Sequence, residues 1–269
     1  MNKVNKLVKA LGLIIKQPSL LNHVINADDV MKAEVTKKYN LPKGLKTIDL
    51  LDLFPNFHET VFPFSGLEGS STPIDIALLR SFAKSFTHCD FLEIGTWRGE
   101  SVANVAFVAH ECVTVNMPDE EMLQMGLPEK YVGLHRFFSN KLKNVLHIQK
   151  NSTTFDFKTL NKKFDLIFVD GDHHYEQVKN DTAKVFELLR DENSVIVWHD
   201  YARSPGEVRF EVLAGILDGC PPPFRNNLYA VSNTLCAIFT RNSYPAAFVD
   251  QHNNPNKVFT IEIKALSDF

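Results

Sequence analysis

The sequence has no CxxC pair, no internal repeat, no excess of positive charge and no apolar run approaching the ~18 residues of a membrane span. Each absence excludes something. The four cysteines, Cys89, Cys112, Cys220 and Cys236, stand far apart, which favours buried thiols in a reducing compartment over disulfides. Lys9 interrupts the apolar stretch from Leu7 to Ile15, so no signal-peptide core is expected and a cytoplasmic location is. Lys+Arg 29 against Asp+Glu 32 gives a formal net charge of -3, which offers no polyanion-binding surface and makes nucleic acid a poor partner. What remains is ordinary globular composition: 269 residues, 44% hydrophobic and 23% charged, suited to one large domain with an appendage.

The chain is organised around the stretch from Phe164 to Tyr201. Leu166–Val169 and Val195–Trp198 are short continuous apolar runs, the pattern of parallel strands covered on both faces. Between them, Val178, Val185, Phe186, Leu188 and Leu189 recur at roughly helical spacing, so the unit reads strand, helix, strand. Both runs stop on charge. Ligands bind at the carboxyl edge of an open α/β sheet, so Asp170, Asp172, His173, His174, His199 and Asp200 are expected to share one mouth.

Upstream, Val4, Leu7, Val8, Leu11, Ile14 and Ile15 fall on one helical stripe with Lys3, Lys6, Lys9 and Lys16 elsewhere and no acid before Asp28. This basic amphipathic helix has two readings: docking on its own domain or a second subunit, as in a homo-oligomer, or peripheral contact with an anionic membrane. From Asp28 to Gly69 short helical pieces are broken by Pro42, Gly44, Pro55, Pro63 and Gly66, with Phe54, Phe57, Phe62 and Phe64 among them, as in a cap over a pocket. Ser70, Ser71 and Thr72 before Pro73 mark a helix start, with Ile76, Leu78, Leu79, Phe82 and Phe86 as its buried stripe.

Phe91–Ser101, FLEIGTWRGES, is a strand ending in an acid, a glycine turn and the beginning of a helix. Glycine there permits positive φ and close approach of a ligand to backbone. The spacing is not GxGxxG, which lowers a dinucleotide reading. Val113–Val115 form a second strand closing on Asn116, where a ribose diol is bridged in nucleotide-type sites, and Val145, Leu146 and Ile148 a third, followed by Asn151, Ser152 and Thr153. Val208–Leu217 reads as a helix. Leu228–Val231 and Leu235–Phe239 then read as a hairpin through Ser232-Asn233-Thr234, and Val258–Ile263 as one more strand.

Taken in order, EIGTWRGES, FVDGDHHYE, VIVWHDY and the terminal hairpin resemble a class I S-adenosylmethionine-dependent methyltransferase, and within that class the small-molecule and sugar O-methyltransferases of the macrolide-tailoring and cephalosporin-hydroxylase-like group. The resemblance covers about Thr72 to Thr240. It implies a Rossmann-like, doubly wound α/β fold with a mostly parallel seven-stranded sheet and a C-terminal antiparallel hairpin, residues 1–69 forming an N-terminal helical segment or cap and residues 70–269 the methyltransferase domain. It further implies S-adenosylmethionine as cofactor, held by Thr72, Glu93, Gly95, Thr96, Trp97, Gly99, Asn116, Ser152, Thr153 and Asp170. Arg98, in the same turn, either meets the cofactor carboxylate or faces solvent. In metal-dependent members the positions of Asp170, His199 and Asp200 hold a divalent ion, Mg²⁺ by the oxygen ligands, with the imidazole shifting preference toward Mn²⁺, Fe²⁺ or Zn²⁺. His173 sits where relatives carry a general base, with His174 as its rival, and Asp170 orients the acceptor hydroxyl. The acceptor implied is a small molecule or sugar.

Three other functions compete: a nicotinamide-dependent oxidoreductase, disfavoured by the turn spacing and by Asn116, a non-catalytic binding subunit of a polysaccharide pathway, and metal-dependent hydrolysis at the His-Asp cluster.

Overall fold

The computed structural model describes residues 3–16, 27–249 and 255–267. Helix α1 (Lys3–Lys16) carries the basic amphipathic sequence and buries none of its residues. Helix α2 (Ala27–Tyr39) opens with Asp28 and Asp29 and closes with Lys37 and Lys38, the charge order that suits a helix dipole. A two-residue strand β1 (Thr47–Ile48) and a single turn α3 (Leu50–Leu53) follow. Helix α4 (Pro73–Lys84) starts where the sequence places it: Thr72 is its N-cap, Asp75 completes the capping box, and Pro73 occupies the first turn.

The parallel sheet is then built in order. Strand β2 (Asp90–Ile94) leads through the glycine turn to α5 (Glu100–Ala106), and β3 (Glu111–Asn116) to the short helices α6 (Asp119–Gln124) and α7 (Glu129–Val132). Strand β4 (Val145–Gln149), β5 (Leu166–Val169), α8 (Tyr175–Phe186) and β6 (Val195–Trp198) complete the parallel part. A small hairpin, β7 (Ala202–Ser204) with β8 (Glu207–Val208), precedes α9 (Phe210–Gly219). The antiparallel hairpin β9 (Leu228–Val231) and β10 (Ala237–Phe239) follows, and then β11 (Ala246–Ala247).

The strand order is β11-β1-β9-β10-β6-β5-β2-β3-β4. The expected seven strands are its continuous inner run from β9 to β4, and two-residue strands from outside the motif region extend one edge to nine. Strand β1 pairs parallel with β9 and antiparallel with β11. The chain crosses from β4 back to β5 on the other side of β2, so the topological switch lies between β2 and β5 and opens a crevice at their carboxyl ends. Residues 258–263, read as a further strand, contain none.

Alternation of side chains splits the core into two layers. Ile167, Val169, Ile196 and Trp198 pack against Val178, Val185, Leu213 and Ile216 of α8 and α9. Leu166, Phe168, Val195 and Val197 pack on the opposite face against Leu78, Leu79, Phe82, Val102 and Val105 of α4 and α5. Strands sealed on both faces need continuous apolar text, which accounts for the LIFV and VIVW runs. The four cysteines are free and buried, as the spacing suggested.

Candidate active site

The carboxyl edge of the sheet opens into a cleft of about 1090 Å³. Its wall includes Gly95, Trp97, Asn116, Ser152, Thr153, Asp170, His173, His199 and Asp200 from the residues singled out in the sequence. Thr72, Glu93, Thr96 and Gly99 are not part of that wall. Each of the four stands behind it, for a reason visible in its contacts.

Gly95 and Gly99 have φ of 99° and 77°, the left-handed conformation expected of this turn. A Cβ on Gly95 would overlap the carbonyl of Asp170, and one on Gly99 would overlap the Ser139 hydroxyl. These glycines let two strand ends and a neighbouring turn close on one another; the neighbour at each missing side chain is the chain itself. Behind the turn, the Glu93 carboxyl is fully buried and accepts hydrogen bonds from Ser101 and, at 2.6 Å, from Thr114. Thr114 in turn meets the Thr96 hydroxyl at 2.6 Å. Burial pushes the Glu93 carboxyl up to about 8 against the opposing pull of these two hydroxyls. Glu93 and Thr96 therefore brace the loop from inside. The Thr72 side chain caps α4.

Arg98 is part of the cleft wall and does not face solvent. Its buried guanidinium donates to the carbonyls of Leu67 and Glu68 at 3.3 and 3.0 Å, to the Ser70 hydroxyl at 2.8 Å and to Glu100. Glu100 also accepts from Ser65 N and the Ser70 hydroxyl, both at 2.6 Å, while Asn104 bonds Phe62 N and Pro63 O, both at 2.7 Å. The segment from Phe62 to Ser70, read from the sequence as part of a cap, is thus strapped onto the glycine turn and α5, and its Leu67–Ser70 part roofs the cleft.

Asn116 closes β3 on the cleft wall, with its side-chain oxygen accepting from Thr96 N at 3.3 Å. Opposite, Gln177 of α8 ties Ser152 at 2.8 Å and Thr153 at 2.9 Å. Trp97, in a left-handed conformation with φ 44°, lies tilted by 34° against Tyr131 at 4.5 Å and meets His135 edge-on at 4.8 Å, forming an aromatic wall.

Another part of the cleft wall is ionic. Asp170 ends β5, and His199 and Asp200 follow β6, so two adjacent parallel strands deliver them to one place. The ring Nδ1 of His199 lies 3.1 Å from Asp170 Oδ1 and 3.4 Å from Asp200 Oδ2, yet this buried nitrogen makes no hydrogen bond. Its Nε2 faces Asp75 Oδ2 of α4 at 3.3 Å. Burial works against a charge on His199, but Asp170, Asp200 and Asp75 outweigh it and raise its pKa well above the ordinary value. Burial would raise Asp200; the adjacent His199 imidazole overrides this and takes it down to about 2. Three carboxylates around one imidazole remain net negative even when the ring is protonated. Asp170, His199 and Asp200 present one ligand atom each, all within 4.8 Å of one another, a set that can hold a divalent cation.

His173 Nε2 lies 3.0 Å from Asp200 Oδ2, with its ring 44% exposed on the cleft wall. His174 is 81% exposed, outside that wall, and bonded to Asp172, which raises its pKa. It occupies the N-cap position of α8 without a side-chain capping bond. Several cleft or supporting residues escaped the sequence reading: Asp75, Gln177, Tyr131 and His135. Asp75 carried a signal, since it is an acid three, four and seven residues before Leu78, Leu79 and Phe82 on the buried stripe of α4.

Residues 92–201 match a sequence family described as "Methyltransferase domain". No curated protein matches the chain. Among solved structures, an O-methyltransferase from Bacillus cereus in complex with SAH is similar at 14% identity and a TM-score of 0.42, over 82% of this chain and 94% of that one. SAM-bound CalS10, an amino pentose methyltransferase from Micromonospora echinaspora, is similar at 15% identity and a TM-score of 0.37, over 53% and 58%. The YcgJ protein from Bacillus subtilis is similar at 18% and 0.36, over 46% and 49%, so the chain spans about half the length of that structure.

Proposed function

We propose, from the match of residues 92–201 to a methyltransferase-domain family, that this chain transfers a methyl group from S-adenosylmethionine to a hydroxyl on a small molecule or sugar. The observation that carries this reading is one cleft lined by two chemically different sets of groups. Backbone and neutral polar groups, Gly95, Asn116, Ser152 and Gln177, suit a nucleoside and an amino-acid moiety. Asp170, which adjoins Gly95, and His173, His199 and Asp200 suit the deprotonation and orientation of a hydroxyl. The volume, about 1090 Å³, exceeds the range of roughly 300–1,000 Å³ usual for a single ligand and accommodates donor and acceptor together.

When bound, S-adenosylmethionine supplies a methyl group already activated by the positive charge on sulfur. The chain's own task is then alignment and proton removal. In this reading the Asp200 carboxylate, 3.0 Å from His173 Nε2, favours the proton on that nitrogen and leaves the Nδ1 lone pair for the acceptor proton, and the imidazolium that results rests against the same carboxylate. The Trp97–Tyr131–His135 wall gives the acceptor an apolar face to lie on.

The same reading places a divalent ion, Mg²⁺ or Mn²⁺, between Asp170, His199 and Asp200. Its support is the orphaned His199 Nδ1, together with Asp75 behind Nε2, the carboxylate-histidine pairing that orients metal-ligating imidazoles. Such an ion would stabilise a developing alkoxide.

Calorimetric titration of the chain with S-adenosylhomocysteine, followed by a transfer assay over hydroxylated sugars and phenols, tests the proposal. Saturable one-site binding and product formation are expected. Absence of binding overturns it, and binding with no transfer to any hydroxylated acceptor points instead to a non-catalytic subunit.

A further inference from the structure

The first helix is built for a surface that the other described residues do not provide. None of the 14 residues of α1 is buried, and Val4 and Ile15 stand 65% and 79% exposed. A helix that docked on its own domain would bury its apolar stripe. Here Val4, Leu7, Val8, Leu11, Ile14 and Ile15 gather within roughly a third of the helix circumference. Lys3, Lys6, Lys9 and Lys16 lie on the remaining arc, which holds no acid. Leu13 is the one large apolar residue outside the stripe.

We infer that α1 lies in the interface of an anionic lipid membrane, with its apolar stripe among the upper acyl chains and its lysines at the headgroups. Fourteen residues at about 1.5 Å each give roughly 21 Å, too short for a hydrocarbon core of about 30 Å. No described helix is long and apolar enough to cross a membrane. An in-plane position is what this length and this charge distribution allow. Charge also identifies the surface. Four lysines and no acid match a negative headgroup layer, each cation near such a layer strengthening attachment, whereas a second copy of the same helix would present four like charges.

The rest of the chain argues against any other route to the same surface. Its formal net charge of -3 includes the four positive charges of α1, so the remainder carries seven negative charges in excess. The C-terminal stretch exposes Val258, Ile261 and Ile263 as well, but it forms no helix and intersperses Glu262 with Lys264. Binding to anionic lipid therefore depends on α1.

Flotation of the full chain with vesicles of phosphatidylcholine alone, or of phosphatidylcholine mixed with phosphatidylglycerol, reads this out. Binding is expected only to the mixed vesicles, and it should disappear in about 1 M salt, where the screening length falls to about 3 Å. The triple variant Lys3→Gln, Lys6→Gln and Lys9→Gln should weaken partition by roughly 100-fold. The variant Leu7→Asp with Leu11→Asp should abolish it, with S-adenosylhomocysteine binding unchanged in both. Equal binding to the two vesicle types, retention in either variant, or no flotation at all overturns the inference. So does a halving of solution mass in the Leu7→Asp, Leu11→Asp variant without any vesicle binding by the parent chain, since the stripe would then be covered by a second copy.

Discussion

His199 and Asp75 face one another across 3.3 Å, although one follows a central strand and the other sits in the first turn of a helix 124 residues earlier. Asp75 also accepts from Leu235 N at 2.9 Å and serves the capping box of α4. It joins helix start, hairpin and ionic cluster at one buried carboxylate. Burial tends to raise it, but His199 and the surrounding donors hold it below the usual carboxylate range.

Replacing Asp75 by Asn keeps its size and an acceptor oxygen while removing the charge behind His199. Calorimetry with Mn²⁺ should show affinity about 10–100-fold weaker, the effect usual for loss of a partner behind a metal-bound imidazole. A melting curve near that of the parent would show that the cap survives. Unchanged Mn²⁺ affinity would remove Asp75 from the orienting role.

His173→Ala should lower turnover by about 10²–10⁴-fold, the range for loss of a general base, while S-adenosylhomocysteine binds nearly as before. His174→Ala should leave turnover close to the parent value, since that ring lies outside the cleft wall. Reversal of the two effects would transfer the base to His174.

Two glycines near the cleft should respond in opposite ways. Gly95 has φ 99° and its missing Cβ points into the Asp170 carbonyl, so Gly95→Ala should cost more than the ~1–3 kcal/mol of backbone strain alone. Gly171 is not in the left-handed region, and the nearest atoms to a Cβ there lie 3.7 Å away, an ordinary contact. Gly171→Ala should melt close to the parent. Equal melting points for the two variants would contradict this account of the turn.

The sign of one pH dependence follows from Glu93. Its folded carboxyl keeps a proton up to about 8, whereas the ordinary value is 4.5. Between these values the unfolded chain binds fewer protons than the folded one, so this group makes stability fall as pH rises, by at most about 1.4 kcal/mol per unit. Glu93→Gln carries no such proton. Urea denaturation at several pH values across that window should show the parent losing stability faster than the variant. Parallel dependences would mean that Glu93 is ionised in the folded protein.

Much of this architecture was legible because both faces of the central strands are covered, and LIFV and VIVW can hardly be read otherwise. The acidic and histidine residues ending those strands were legible for the same reason: the strand fixes where its last residue points. Strands of two residues, Thr47–Ile48 and Ala246–Ala247, have no periodicity to detect. Val258–Ile263 has the right alternation but pairs with no strand among the described residues. The roles of Arg98 and Glu93 were hidden because their partners, the carbonyls of Leu67 and Glu68 and the hydroxyls of Ser101 and Thr114, come together only after the turn has closed. Likewise the glycine turn was correctly expected to need positive φ, while what fills the space beside it depended on a strand 75 residues away.

The margin formed by β1 and β11 bears on any attempt to shorten this protein. Ala230 N bonds Lys46 O at 2.9 Å and Ser232 N bonds Ile48 O at 3.0 Å, so the segment before residue 49 shields one flank of the hairpin. A fragment beginning at Pro73 would leave Leu228–Val231 as an uncovered, largely apolar border with free amides, a template for self-association. For the sheet, fusion partners and deletions are therefore safer ahead of Ala27 than anywhere between Ala27 and Pro73.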